Sequence, residues 1–227
     1  MRQLLLDFTQ APAPTFENFA TGRNAEPLAA VLAALEKWGR NPFSQERVKE
    51  SSSVLYVWGE TGSGKSHLLH AFAAACEGAH FVRGEDYDGS EAGGVLVLDD
   101  VERLGEAKQV SLFNAFNERV FALIVVSAHA APKDVVLRRD LATRLATGLT
   151  YLLLPLTDDE KREALAAHAR ARGFALTDEV AAYLLTHARR DMPSLMRALD
   201  VLDRYSLESG RPITVPLLKT ALQPELS

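Results

Sequence analysis

One cysteine, Cys76, stands among 227 residues, so no disulfide can form within the chain. Its alanine-rich surroundings read as a helix, and the thiol as part of a core. No apolar run is long enough to cross a membrane, and the first residues carry Arg2 as their one basic side chain with Asp7 close behind, which does not resemble a secretory signal. The expectation is a cytoplasmic protein with no membrane partner. Positive charge is not in excess either: 25 Lys and Arg face 30 Asp and Glu, for a net charge of −5, and the basic residues are spread through both halves. That argues against DNA binding by the whole surface and leaves only a local basic patch open, so no direct sequence-specific DNA binding is expected. Hydrophobic residues at 47% supply core enough for one large domain or two modest ones.

What the chain does have is a phosphate loop. Gly59-Glu60-Thr61-Gly62-Ser63-Gly64-Lys65-Ser66 fits GxxxxGK[ST] at every required position. Backbone N–H groups of such a turn point inward at phosphates, and the turn opens a helix, here beginning with His67, whose positive end faces the same anion. Lys65 would reach the β- and γ-phosphates of ADP or ATP, and Ser66 would hold Mg²⁺. The apolar run Val54-Leu55-Tyr56-Val57-Trp58 before the loop reads as a buried strand, and His67 to Ala73 after it as a helix, the order this chemistry needs. Further on, Val95-Leu96-Val97-Leu98 ends in Asp99-Asp100. An apolar strand running into two carboxylates supplies the other half of a nucleotide site: Asp99 would orient the water shell of Mg²⁺, and Asp100 would polarise a water for attack on a γ-phosphate. Helix-capping aspartates are the plainer reading of that pair.

The remaining elements alternate. A helix is expected over about 25–38, a short strand at Ala79-His80-Phe81-Val82, a helix at about 106–119, a strand at 122–127, an arginine-bearing helix at 136–146 and a fifth strand at Tyr151-Leu152-Leu153-Leu154. Ser127, at a strand tip, is placed to meet a γ-phosphate or the attacking water, or simply forms a turn. Repeated alternation predicts an α/β fold, a five-stranded parallel sheet covered on both faces. From Thr157 the pattern is helical only: a capping box Thr157-Asp158-Asp159-Glu160 opens a helix ending near Gly173, followed by helices at about 178–189, 192–209 and 215–222. This predicts a small all-helical lid domain over 156–227 behind a nucleotide-binding domain over 15–155.

Two segments before the sheet keep alternative readings. Phe16 and Phe19, ahead of Gly22-x-Asn24, either cap the core or wall an adenine pocket. Residues 1–14 hold an apolar stretch, Gln3-Leu4-Leu5-Leu6-Asp7-Phe8, on a leash stiffened by Pro12 and Pro14. It is either an edge strand or a docking peptide, and it resembles the motif by which bacterial proteins attach to the replication sliding clamp: Gln3 at the pocket rim, with Leu4, Leu6 and Phe8 as apolar anchors.

Taken together, the phosphate loop, the strand-end serine, the arginine-bearing helix and the helical lid resemble the AAA+ ATPases. Thr15-Phe16-x-x-Phe19-x-x-Gly22-x-Asn24, Gly59 to Leu69, Leu98-Asp99-Asp100 and Asp140-Leu141-Ala142-Thr143-Arg144-Leu145 narrow the resemblance to the DnaA group of bacterial replication proteins, over nearly the whole chain. The sequence departs from the initiator of that group. It ends with the lid, has no large N-terminal domain, and leaves no room between its second and third strands for a single-strand-binding insertion. The resemblance therefore implies a negative regulator of initiation that rides on the DNA polymerase sliding clamp (its beta subunit), meets the ATP-bound DnaA initiator, and offers Arg144 as an arginine finger in trans. Phe19, Gly22 and Asn24 would belong to the nucleotide site, with ADP or ATP and Mg²⁺ as cofactors. Arg144 tied to Asp140 or another acid is the plain alternative. Pro193 stands where the group's lid carries a sensor arginine, which leaves the chain's own turnover open and Arg189, Arg190 or Arg197 as substitutes. An autonomous motor or helicase loader, a nucleotide-locked scaffold on the clamp, and a homodimer beside a monomer stay open at this point.

Overall fold

The computed structural model describes residues 13–38, 53–91 and 93–222. Gln3, Leu4, Leu6 and Phe8, and the loop expected before the first strand up to residue 52, lie outside the described residues.

The strands are β1 (Ser53–Trp58), β2 (Ala79–Arg83), β3 (Val95–Asp99), β4 (Leu123–Ala128) and β5 (Leu149–Leu152). All pair in parallel, in the order β2-β3-β4-β1-β5. Because side chains alternate along a strand, each central strand contributes to two cores at once. Leu55, Val57, Val95, Val97, Leu123 and Val125 pack on one face, while Val54, Tyr56, Leu96, Leu98, Ile124 and Val126 pack on the other. That double burial explains why these strands read as unbroken apolar runs. Helices α1 (Ala25–Trp38) and α2 (Lys65–Ala75) contribute Val31, Trp38, Leu68, Leu69 and Phe72 to the first face. Helices α3 (Glu106–Asn117) and α4 (Arg139–Leu145) contribute Leu112, Leu141 and Leu145 to the second.

Several expected boundaries move by two or three residues, those of the arginine-bearing helix and the fifth strand among them. The arginine-bearing helix begins at Arg139 instead of residue 136, because the chain from Ala131 is folded into turns: Asp134 and Val135 both donate to the Ala131 carbonyl, and Leu137 donates to that of Val135. The backbone N–H of Arg138 is then taken by Gln109 Oε1 at 2.8 Å. The fifth strand begins at Leu149 and ends at Leu152, two residues earlier than its apolar run suggests. Gly148 sets that start. A Cβ there would lie 2.2 Å from the Val54 carbonyl oxygen, so only glycine lets the edge strand approach β1. Leu149 and Leu152 are exposed on this edge, whereas Leu153, whose N–H still reaches Trp58 O, is buried.

The contacts divide the chain after Pro155. The unit that begins at Leu156 is helical: α5 (Asp158–Ala171), α6 (Asp178–His187), α7 (Met192–Ser209) and α8 (Val215–Leu222). The capping box is present, with Thr157 Oγ1 accepting from Glu160 N and Glu160 Oε2 accepting from Thr157 N. Asp191 caps α7 through Ser194 N at 3.0 Å, and Pro193 sits in the first turn, where its missing N–H costs nothing. Leu165, Val180, Leu184, Leu195, Leu199, Leu202 and Leu218 form the core of this unit. Half-buried His168, on α5, meets Asp200 of α7 at 2.7 Å, and Arg172 meets the same oxygen at 2.8 Å, a polar clasp between two helices.

Candidate nucleotide site

In a parallel sheet of this order, ligands gather beyond the carboxyl ends of the strands. Here β1, β3 and β4 end beside one another in the phosphate loop, the aspartate pair and Ser127. The loop's geometry is that of an anion cradle. Gly62 and Gly64 have φ of +83° and +98°, a region closed to most side chains, and α2 starts directly after Gly64. Gly59 is held by its N–H on Ala128 O and lies so close to Leu153 that a Cβ would fall 2.2 Å from its carbonyl oxygen. The Ser63 hydroxyl is buried with no hydrogen-bond partner among the described residues. Ser66 is exposed at the mouth. These features fit a bound polyphosphate.

Lys65 is 5% exposed, and its ammonium donates to Gly59 O at 2.8 Å and Glu60 O at 3.0 Å. Burial pushes its pKa down, while the charges of Asp100, Glu102 and Asp99 pull it back up. A phosphate would restore what burial removes, because a neighbouring anion favours the charged lysine.

Ser127 is fully buried. Its hydroxyl donates to Asp99 Oδ1 at 2.5 Å and accepts from Asp100 N at 2.9 Å. The structure thus places Ser127 as a brace of the aspartate pair. Asp100 follows in the left-handed region (φ 55°, ψ 62°), which is rare for a residue other than glycine. Its carboxyl pKa is raised, first by burial and then by the charges of Asp99 and Glu102, against the pull of His129 and Arg103.

Sequence reasoning missed the residues around Asp100. His129 Nε2 meets Thr61 Oγ1 of the phosphate loop at 3.1 Å, and its Nδ1 bonds Glu102 Oε1 and lies 4.0 Å from Asp100 Oδ1. A side-chain bridge therefore runs from the phosphate loop to the acid loop. Glu102 follows Asp100 by two residues on a one-turn 3₁₀ helix (Val101–Arg103), and His129 follows Ser127 by two. Those spacings were the available signal. Tyr56 anchors the next residue along, donating its buried phenol to Ala130 O at 2.9 Å.

On the other side of the loop, Phe19 packs 3.1 Å from where a Gly64 Cβ would stand and 5.5 Å, ring to ring, from His67. His67 is itself tied to Thr15 O at 3.0 Å, and burial pushes its imidazole pKa down. The aromatic segment thus packs against the loop's end and the first turn of α2. Asn24, 2% exposed, uses both ends of its amide on Leu154: Nδ2 donates to the carbonyl, and Oδ1 accepts from the N–H, each at 2.8 Å. It holds the segment before α1 against the chain leaving β5. Gly22, at φ +48°, makes the turn that delivers it. Replacing Asn24 by alanine removes two buried hydrogen bonds and orphans the Leu154 groups, so stability should fall by about 2–3 kcal/mol in urea denaturation. A loss under about 0.5 kcal/mol would mean these bonds carry no weight.

Arg144 lies apart from this loop, exposed on α4, its guanidinium 5.6 Å from the centre of the Phe116 ring. Among the described residues no carboxylate pairs with it. Asp140, the suspected partner, is bonded to Arg138 instead. Of the arginines considered beside Pro193, Arg190 bonds Asp158, Arg189 pairs with Asp191 at 3.3 Å, and Arg197 donates to Ser194 Oγ.

Comparison with known proteins places these features. Residues 158–222 match the family model described as Hda, lid domain. Among solved structures, domain III of the Thermotoga maritima replication initiation protein DnaA superposes with a TM-score of 0.70 at 21% identity, covering 96% of this chain and all of that one. AMPPCP-bound DnaA from Aquifex aeolicus gives 0.64 at 20% identity over 87% of this chain and 67% of that one. The Thermotoga maritima RuvB branch-migration motor gives 0.59 at 18% identity over 86% and 68%. Residues 158–222 are therefore similar to an Hda lid domain, and the chain has the fold of DnaA domain III.

Proposed function

We propose that this protein is a negative regulator of bacterial replication initiation that binds the DNA-loaded sliding clamp through Gln3, Leu4, Leu6 and Phe8 and accelerates hydrolysis of ATP held by the DnaA initiator. The observation that carries this reading is Arg144: an exposed guanidinium, seated on Phe116 and with no carboxylate partner among the described residues, on a module whose lid is of the Hda family. A guanidinium offered outward in this way suits a phosphoryl group on a neighbouring subunit. It offsets charge that accumulates on the transferring group, an effect worth about 10³- to 10⁵-fold in related chemistry.

The chain's own loop holds ADP or ATP in this reading. Phe19 walls the nucleotide site, and Asn24 and Gly22 shape it from behind. The N–H groups of Gly59 to Ser66 receive the phosphates, with Lys65 turning from its carbonyls to the β-phosphate. Bound Mg²⁺ would supply charge neutralisation between phosphates, with Ser66 and Asp99 as its nearest protein groups, partly through water. Asp100 is the group that would polarise a water here, and Ser127 sets where it stands. A DnaA relative of the same fold binds AMPPCP, which supports adenine nucleotide at this loop. The chain's own turnover is secondary to its effect on the partner.

The test is the hydrolysis of radiolabelled ATP pre-bound to the initiator, with loaded clamp present. Acceleration by the wild-type chain, lost on Gln3→Ala, is the expected result. Failure to accelerate with active clamp and initiator would overturn the proposal.

A further inference from the structure

Asp140 and Arg144 stand four residues apart on α4. That spacing puts an acid and a base on one helix face, with the acid N-terminal, the arrangement in which such pairs form most readily. The structure does not form it. Asp140 faces back instead, to Arg138, whose Nη2 lies 3.0 Å from Oδ2 and whose Nε lies 3.3 Å from Oδ1. Asp140 Oδ1 also accepts the Leu141 N–H at 2.8 Å, and Arg138 is itself fixed by Gln109 through its backbone. The Arg144 guanidinium is left over Phe116, at the edge of an open depression of about 730 Å³ lined by Phe113, Arg138, Arg139, Asp140, Thr143 and Arg144.

We infer that Arg138 is a positioning residue for Arg144: by holding Asp140, it keeps the helix's own carboxylate from capturing the finger. The inference rests on the reading of Arg144 as a finger. An arginine already paired within its own helix must give up that partner before it can meet a phosphate, and a carboxylate beside it cancels the charge it would deliver. Arg138 removes both obstacles without approaching the partner itself. The pair is exposed, so the effect is modest.

In the clamp-loaded assay, Arg138→Ala should slow hydrolysis of initiator-bound ATP about two- to threefold, the population shift that one exposed pair at this spacing supports. Arg138→Ala combined with Asp140→Asn should restore the wild-type rate, and Asp140→Asn alone should leave it unchanged. Rescue is the readout that a merely structural role would not produce. A double variant as slow as Arg138→Ala would overturn the inference and make Arg138 a direct contact to the partner; so would an unchanged Arg138→Ala. Full activity in Arg144→Ala, measured beside them, would strike the finger reading itself. A second measurement needs no partner: the side-chain Nε–H resonance of Arg144, assigned by its loss in Arg144→Ala, should shift in Arg138→Ala and return in the double variant. No shift would overturn the capture.

Discussion

Arg144→Ala should reduce the acceleration of initiator-bound ATP hydrolysis by about 10³-fold, to the initiator's own background, with clamp binding unchanged. The size follows from where the charge acts. At an interface that excludes water, a cation placed against an anionic transition state is worth far more than the same cation in solvent. The specificity follows from where the side chain sits. Arg144 is exposed and its side chain rests on the Phe116 ring, a contact worth about 0.5–1 kcal/mol, so its removal leaves the fold intact. Lysine should not substitute, because a point charge on a flexible stem lacks the planar fork that spans two phosphate oxygens. The measurement is single-turnover release of labelled phosphate with loaded clamp. Wild-type acceleration by Arg144→Ala would remove the finger from the mechanism.

Gly59→Ala should cost at least about 3 kcal/mol and abolish binding of a fluorescent ADP analogue. A Cβ at this position would lie 2.2 Å from a backbone oxygen, that of Leu153, which cannot swing aside as a side chain can. The residue is also pinned by its N–H on Ala128 O, so relief requires moving the ends of β1, β4 and β5 together. Gly62→Ala is the control. Among the described residues nothing lies within 4 Å of its added Cβ, and φ of +83° leaves only the backbone penalty, about 1–2 kcal/mol. Equal denaturation midpoints for the two variants would show that the Leu153 contact does not shape the loop.

Much of this fold was legible because its signals are local. The parallel strands declare themselves through apolar runs buried on two faces, and α1, α7 and α8 fall where periodicity and capping residues set them. The capping box at Thr157 needed only four adjacent residues. What could not be read depends on pairing across the chain. The start of β5 is decided by Gly148 against Val54, and the start of α4 by Gln109 reaching Arg138, contacts invisible to any window of sequence. At the site, the phosphate loop and aspartate pair stand out by spacing, but the bonds of Ser127 to Asp99 and Asp100 depend on neighbours in space that the sequence does not show. The two bonds that join the Asn24 amide to Leu154 are equally invisible in the sequence. His129 and Glu102 went unnoticed because nothing in either residue alone marks the bridge that they form with Thr61.

The contact between Thr15 and His67 has a mechanical meaning. If the peptide before residue 14 is held by a partner, any pull on it enters this unit at Thr15, whose carbonyl is bonded to the imidazole next to Ser66. One hydrogen bond stands there, followed further along by that of Arg23 Nη2 to Pro155 O and the two that join Asn24 to Leu154. Under load the single bond yields first, and the strain reaches the first turn of α2, directly behind the phosphate loop, before the stronger pair is tested. A tether at residues 3–8, as proposed above, would therefore pull on the corner of the unit that carries the phosphate loop.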